Sequence, residues 1–233
     1  MQIRLNHLII LKNTKMKQTF IFALVIASFF SATSLQAQKG FSLSVKAAPQ
    51  FSFMINEDDN DNNRYDSKAT FNAGFGVGAA YNFTPKLGVG LDVLYSLQGQ
   101  RYELNGAEYY QKADYVKIPL MFTYNTNPLK QISFVGKIGP QLSILTRSKL
   151  TDDDGHDLID DNKEKYQSTT FGAMALAGVQ YRLNPRIFLT TGIRFDYDFS
   201  NSEDDNHPSY SRGRADTYNS TVGLEVGLKY MLK

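Results

Sequence analysis

The stretch Leu87-Gly88-Val89-Gly90-Leu91-Asp92-Val93-Leu94-Tyr95-Ser96-Leu97-Gln98 decides the fold. Leu87, Val89, Leu91, Val93, Tyr95 and Leu97 recur at every second position, with Gly88, Gly90, Asp92, Ser96 and Gln98 between them. A period of two belongs to a strand with two unlike faces. One face here is unbroken and apolar; the other is small and polar, with a lone charge. A solvated strand face would favour Lys, Glu and Thr, because glycine weakens a strand interior. Small residues suit a face that curls around a narrow lumen.

Working outward, the same alternation runs from Phe41 to Phe53, Phe71 to Phe83, Val116 to Tyr124 and Ile132 to Ile144, then from Phe171 to Leu183, Ile187 to Tyr197 and Val222 to Leu232. Eight such segments of roughly 10 residues or more have the length of outer-membrane strands. A soluble β-sandwich also alternates, so the period alone leaves that architecture open. Connection lengths separate the two. Thr84-Pro85-Lys86, Asn184-Pro185-Arg186 and Asn125 to Gln131 are short, whereas Met54 to Thr70, Glu103 to Asp114, Arg147 to Thr170 and Ser200 to Asp216 read as long polar loops. Short connections at one end and long ones at the other predict an all-β fold: an eight-stranded antiparallel up-and-down transmembrane β-barrel, with short periplasmic turns and long extracellular loops. Tyr81, Phe83, Tyr124, Tyr181 and Tyr230 then fall at the turn end, and Phe53, Phe71, Phe171, Tyr197 and Tyr218 near the other rim. Such aromatic girdles suit a bilayer interface, where a Tyr ring keeps its body apolar and its tip wet.

Composition narrows the function. The 233 residues include no Cys, which excludes disulfides, thiolate metal sites and thiol catalysis. A mean hydropathy of −0.34 excludes a bundle of membrane-spanning helices. Residues 1–37 carry Arg4, Lys12, Lys15 and Lys17 and no acid, so residues 38–233 hold 21 bases against 23 acids. A body with that balance has no electrostatic footprint for nucleic acid. Lys17, the apolar run Phe20 to Phe30 and Ala37 predict a signal peptide over 1–37, cleaved after Ala37, with residues 1–15 as a possible upstream start before Met16. The barrel occupies 38–233, and the predicted location is the cell outer membrane of a Gram-negative bacterium.

The segments Gly90-Leu91-Asp92-Val93-Leu94-Tyr95-Ser96-Leu97-Gln98-Gly99, Tyr115-Val116-Lys117-Ile118-Pro119-Leu120 and Gly136-Lys137-Ile138-Gly139-Pro140-Gln141 resemble the third, fourth and fifth strands of a known family. It is the small outer-membrane β-barrel domain family of Bacteroidetes, often labelled "porin family" or PorT-like, with a fold similar to OmpA-like and OmpX-like barrels. The resemblance implies an outer-membrane location and no particular activity. Such barrels usually end in an aromatic residue that assists the barrel assembly machinery; this chain ends Tyr230-Met231-Leu232-Lys233, so Tyr230 would have to serve.

Candidate chemistry lies in the lumen and the loops. The polar faces collect Lys46, Lys117, Lys137, Arg182, Arg194 and Lys229 against Asp92, Asp196 and Glu225. Buried charges must pair, so these predict a structural salt-bridge network; their basic excess also allows a narrow, gated conduit for anions. A constitutive pore does not fit eight strands, whose interior side chains fill. Acidic runs at Glu57-Asp58-Asp59-Asn60-Asp61, Asp152 to Asn162 and Glu203-Asp204-Asp205-Asn206 offer hard oxygen ligands to a divalent cation or to cation-bridged lipopolysaccharide. Their EF-hand register fails: with Gly155 as the turn glycine, Leu150 takes the first ligand position and Asp161 the last. Such runs are read as solvated, mobile loops. His207-Pro208-Ser209 echoes the His-x-Ser pair of lipid A deacylases, but its Pro disfavours a strand position. The expected function is therefore non-enzymatic, without cofactor: a structural or surface-interaction barrel whose partners are outer-membrane lipid, lipopolysaccharide or an extracellular ligand. Gated anion transport and a lipid A-modifying hydrolase stand as alternatives.

Overall fold

The computed structural model describes residues 39–58, 66–104, 106–208, 210 and 213–232. The predicted signal peptide, Asp59 to Asp61 of the first acidic run, and Ser209 lie outside the described residues. The strands are β1 (Gly40–Ile55), β2 (Asp66–Asn82), β3 (Leu87–Leu104), β4 (Ala107–Asn125), β5 (Ile132–Asp152), β6 (Asp157–Ile159), β7 (Thr169–Arg182), β8 (Ile187–Asp198) and β9 (Tyr218–Met231). Eight of them form an antiparallel ring in the order β1-β2-β3-β4-β5-β7-β8-β9, and β9 pairs back onto β1. The ninth, β6, is a three-residue strand on the upper edge of β5.

The faces are inverted relative to a soluble protein. Phe71, Phe134 and Ile193 on the outer wall are 64%, 68% and 65% exposed, while Gln50, Asp92, Ser143, Thr221 and Glu225 are buried inside. Water-soluble cores exclude such polar groups, and a continuous apolar exterior marks a surface that meets something other than water. The sandwich alternative ends here: the ring closes, and its apolar rows face outward instead of meeting a second sheet.

The expected loop over Glu103 to Asp114 is corrected to strand. β3 continues to Leu104 and β4 starts at Ala107, so the connection is the turn around Gly106, whose φ of +82° suits glycine. Above Leu97 and Val116 the outer face of this hairpin turns charged. Diagonal cross-strand pairs hold it there: Lys68 bonds Glu103 at 2.6 Å, and Arg101 bonds Glu108 at 3.3 Å. Where water lies on the outer face, polar residues can continue a period-two ladder as well as apolar ones. β5 likewise runs to Asp152, past a bulge where Asp114 faces Arg147 and Tyr115 faces Leu145, leaving Thr146 unpaired.

Among the described residues, the connections that follow β6 and β8 are tied together by hydrogen bonds. Gln167 N donates to Ser202 O at 2.8 Å, Ser202 N to Thr217 O at 2.8 Å, and Asp204 N to Lys165 O at 2.9 Å. Asn56 Nδ2 reaches Ala215 O and Thr217 Oγ1 at 2.7 and 2.8 Å. Arg214 grips Glu203 with two nitrogens, at 2.8 and 3.1 Å. Buried backbone groups in a loop need such partners, and here the loops supply them to one another.

Candidate functional site

Strand alternation delivers one inward side chain every second residue, and at mid-height those side chains build a charged crossbar. Lys46 of β1 reaches over β2 to bond Asp92 of β3. It can do so because β2 places Gly76 opposite Lys46 and Gly78 opposite Asp92: a Cβ on Gly78 would collide with Asp92 Oδ1 and with Ser44 Oγ. Arg194 of β8 is the hub. Its Nε and Nη2 hold Asp196 at 3.0 and 2.8 Å, Nη1 donates to Glu225 Oε2 at 2.9 Å, and Nη2 donates to Gln141 Oε1 at 3.2 Å. Lys137 of β5 donates to Glu225 Oε1 at 2.7 Å, while Lys117 of β4 lies 3.9 Å from Asp196 Oδ2. Thr221 Oγ1 donates to Asp196 Oδ2 at 2.9 Å. The crossbar thus joins six of the eight ring strands. Planar, forked Arg is suited to this hub because it serves two carboxylates and an amide at once.

Arg194, Asp196, Glu225 and Lys117 are only 1–3% exposed. Water threading the lumen would touch them, so the barrel is closed to water at this level. Seven of the nine lumen charges named from sequence meet here. Arg182 and Lys229 do not: both project inward near the turn end, and among the described residues neither has a carboxylate within 4.0 Å. The acids sit at mid-height, out of their reach. Lys229 instead places its Nζ 5.1 Å from the Phe188 ring centroid.

The two halves of the lumen differ. Toward the loops it is filled by paired neutral groups. Gln50 Nε2 donates to Ser96 Oγ at 2.8 Å, Ser52 Oγ to Gly99 O at 2.8 Å, and Asn219 Nδ2 to Tyr115 Oη at 3.0 Å. Asn162, from the loop after β6, turns inward to bond Gln111 and Ser148 at 2.9 and 2.6 Å. Tyr166 packs on Ala113, Tyr115 and Leu145. Asp198, a lumen acid the charge inventory omitted, accepts from Thr170 and Ser143 at 2.8 and 3.3 Å. Toward the turns lies a cavity of about 70 Å³ reaching Pro85 and Lys86. Met121, Met174 and Leu176 form an apolar cluster on the inner wall, against Val135. Leu94, Leu176 and Phe188 were overlooked from sequence because hydropathy argued against a lumen position, although their parity matches Asp92 and Arg194.

The aromatics named for the turn-end girdle, Tyr81, Phe83, Tyr124 and Tyr181, are exposed on the outer wall. Tyr230 is partly buried, its hydroxyl 3.5 Å from Arg186 Nη1. At the loop end, the carboxylates of Asp152 and Asp154 and the His156 ring lie within 4.8 Å of one another. Asp152 already accepts from the His156 backbone N at 2.7 Å, so part of this group serves the turn. His207 lines a loop cavity of about 210 Å³ with Tyr166, Glu203 and Tyr210. Two carboxylates outside the apolar band are held below their ordinary values: Glu108 by the Tyr110 hydroxyl at 2.7 Å and by Arg101, and Asp157 by its hydrogen bond from Lys149.

Against known proteins, the profile of the family described as "Outer membrane protein beta-barrel domain" matches residues 36–204. No curated protein sequence matches the chain. Among solved structures, a major outer membrane protein from Thermus thermophilus is 16% identical over 82% of this chain and 99% of that one, with a TM-score of 0.50. Neisserial surface protein A is 16% identical over 83% and 98%, with a TM-score of 0.45. OprG from Pseudomonas aeruginosa is 14% identical over 83% and 96%, with a TM-score of 0.46. At these identities the likeness concerns the fold alone.

Proposed function

The chain belongs to the outer membrane protein beta-barrel domain family, and from that premise we propose that it is a non-enzymatic barrel of the Gram-negative outer membrane, with a structural and surface-interaction role exercised through its loop end. The observation that carries this reading is the crossbar, whose central charges are 1–3% exposed. A layer that excludes water makes the lumen a strut, and leaves the loop end as the part available to partners. There the β3–β4 hairpin rises above the apolar band, and the loops from Asp153 to Ser168 and from Phe199 to Thr217 brace each other. Lipopolysaccharide headgroups and extracellular ligands are the partners that such a surface would meet. Export through a signal peptide cleaved after Ala37, kinship with the PorT-like barrels of Bacteroidetes, and use of Tyr230 by the assembly machinery complete the proposal.

Planar-bilayer recording of the refolded protein tests it: a flat trace at all voltages is expected, and unitary conductance steps would overturn the strut. Those steps would favour the second reading, gated anion passage, which draws on Lys229 and Arg182 near the turns, neither of which has a carboxylate within 4.0 Å among the described residues. For the hydrolase reading built on His207, lipid A incubated with wild type and with His207→Ala is expected to show the same mass spectrum.

A further inference from the structure

The turn-side cavity carries more charge than its walls neutralise. Lys46, Lys137 and Lys229 all line it, together with Gln180, Thr190 and Asn125. Lys46 is paired with Asp92, and Lys137 shares Glu225 with Arg194. Lys229 has no carboxylate among the described residues within 4.0 Å, and it shares the cavity wall with Lys46 and Lys137. The amides add a second, independent sign. Neither Gln180 nor Asn125 spends its side-chain NH2 on a hydrogen bond among the described residues, so both keep donors free, while their oxygens, Gln180 Oε1 and Asn125 Oδ1, are buried acceptors that an anion would not serve. Buried polar groups are ordinarily satisfied, and an uncompensated buried ammonium is costly. Excess positive charge, free amide donors and an open volume in one place describe a site suited to an anion.

We propose that this cavity is a binding site for one small soluble oxyanion, such as phosphate, sulfate or a simple carboxylate, held between Lys229 and Lys137 with the Gln180 side-chain NH2 as a neutral donor. Size sets the upper limit: about 70 Å³ holds about two waters' worth of liquid, which suits an oxyanion and no larger metabolite. The source is soluble, because the strand wall separates the lumen from the acyl chains a lipid headgroup would bring with it. The crossbar closes the far side, so the anion enters and leaves by the turn end. The site does not depend on the surface role proposed above.

The test uses the mature chain refolded in uncharged maltoside micelles, its folding checked by heat-dependent gel mobility, and titrated with inorganic phosphate under amide NMR. Saturable shifts are expected at Gln180, Thr190 and Lys229, including the Gln180 side-chain amide. Lys229→Gln should weaken binding by about tenfold or more, since one charge-assisted hydrogen bond is lost, whereas Lys229→Arg retains it. Lys130→Gln, on an exposed turn, should leave binding unchanged. Shifts confined to the loops, no saturable shift, or equal affinity in Lys229→Gln would overturn the proposal. Should a variant fail to fold, the wild-type shift map decides alone.

Discussion

The two halves of the lumen obey the same strand geometry and differ in how they settle their polar groups. On the loop side, most amides and hydroxyls answer one another across the barrel, as Gln50 does with Ser96, Asn219 with Tyr115, and Asn162 with Gln111 and Ser148, although Thr70 Oγ1 and Ser202 Oγ are buried without a partner. On the turn side, cations line a hollow and two amides stand idle. A satisfied network rigidifies, whereas an unsatisfied one asks for a ligand or water. The crossbar divides them, and it lets each half be tested by itself.

The sharpest way to break the contrast is to remove its boundary. Arg194→Ala leaves Asp196 buried without its main counter-charge and Glu225 with its lysines alone, and should cost about 3–5 kcal/mol in urea unfolding of the refolded barrel. Water should then reach both halves, so hydrogen exchange at Gln141 and Thr221 should rise together. A loss below about 1 kcal/mol would show that the crossbar is not the barrel's main internal brace.

Next in size is Gly78→Val. The added side chain would meet Asp92 Oδ1 and Ser44 Oγ, displacing the carboxylate from Lys46. Overpacking of this kind costs about 1–3 kcal/mol. The effect should fall on the β1–β3 side of the lumen, leaving the Asn219–Tyr115 contact intact, as side-chain amide NMR would register.

Lys229→Met sharpens the comparison by its small effect. Because this cation has no acid partner among the described residues, its loss should leave stability within about 0.5 kcal/mol of wild type, or raise it. A large loss in thermal unfolding would mean that Lys229 is paired after all.

The smallest effect belongs to the loop end. Asp157 is held low by Lys149, so its contribution is present above the ordinary carboxylate range and is lost as pH falls through the depressed folded-state value. Acidification should therefore loosen β6 while the barrel stays folded. Protease cleavage between Asp153 and Ser168 should speed up at low pH, and Asp157→Asn should show that faster cleavage already at neutral pH.

Much of the architecture was readable in the chain. Period-two alternation from Leu87 to Leu97 separates the faces residue by residue, and Pro85 and Pro185 mark two of the tight turns. The hairpin tip is harder to see in the chain because Glu103 to Asp114 carries the charge expected of a loop, although Asn105-Gly106 is a turn dipeptide between two alternating flanks. Leu94, Leu176 and Phe188 were missed for the opposite reason: their hydropathy outweighed their parity. Of the nine lumen charges, the sequence supplied identity and face but not partners.

By itself, then, the sequence determined that eight strands exist, which side of each is apolar, and which ends carry the long connections, because strand alternation is local and every residue declares its own face. Only the closed ring decided that Lys46 finds Asp92 across Gly78, that Arg194 gathers Asp196, Glu225 and Gln141, and that Lys229 is left facing an open volume. Those pairings join residues dozens of positions apart, and they follow from the stagger of neighbouring strands around the barrel, which no single strand encodes.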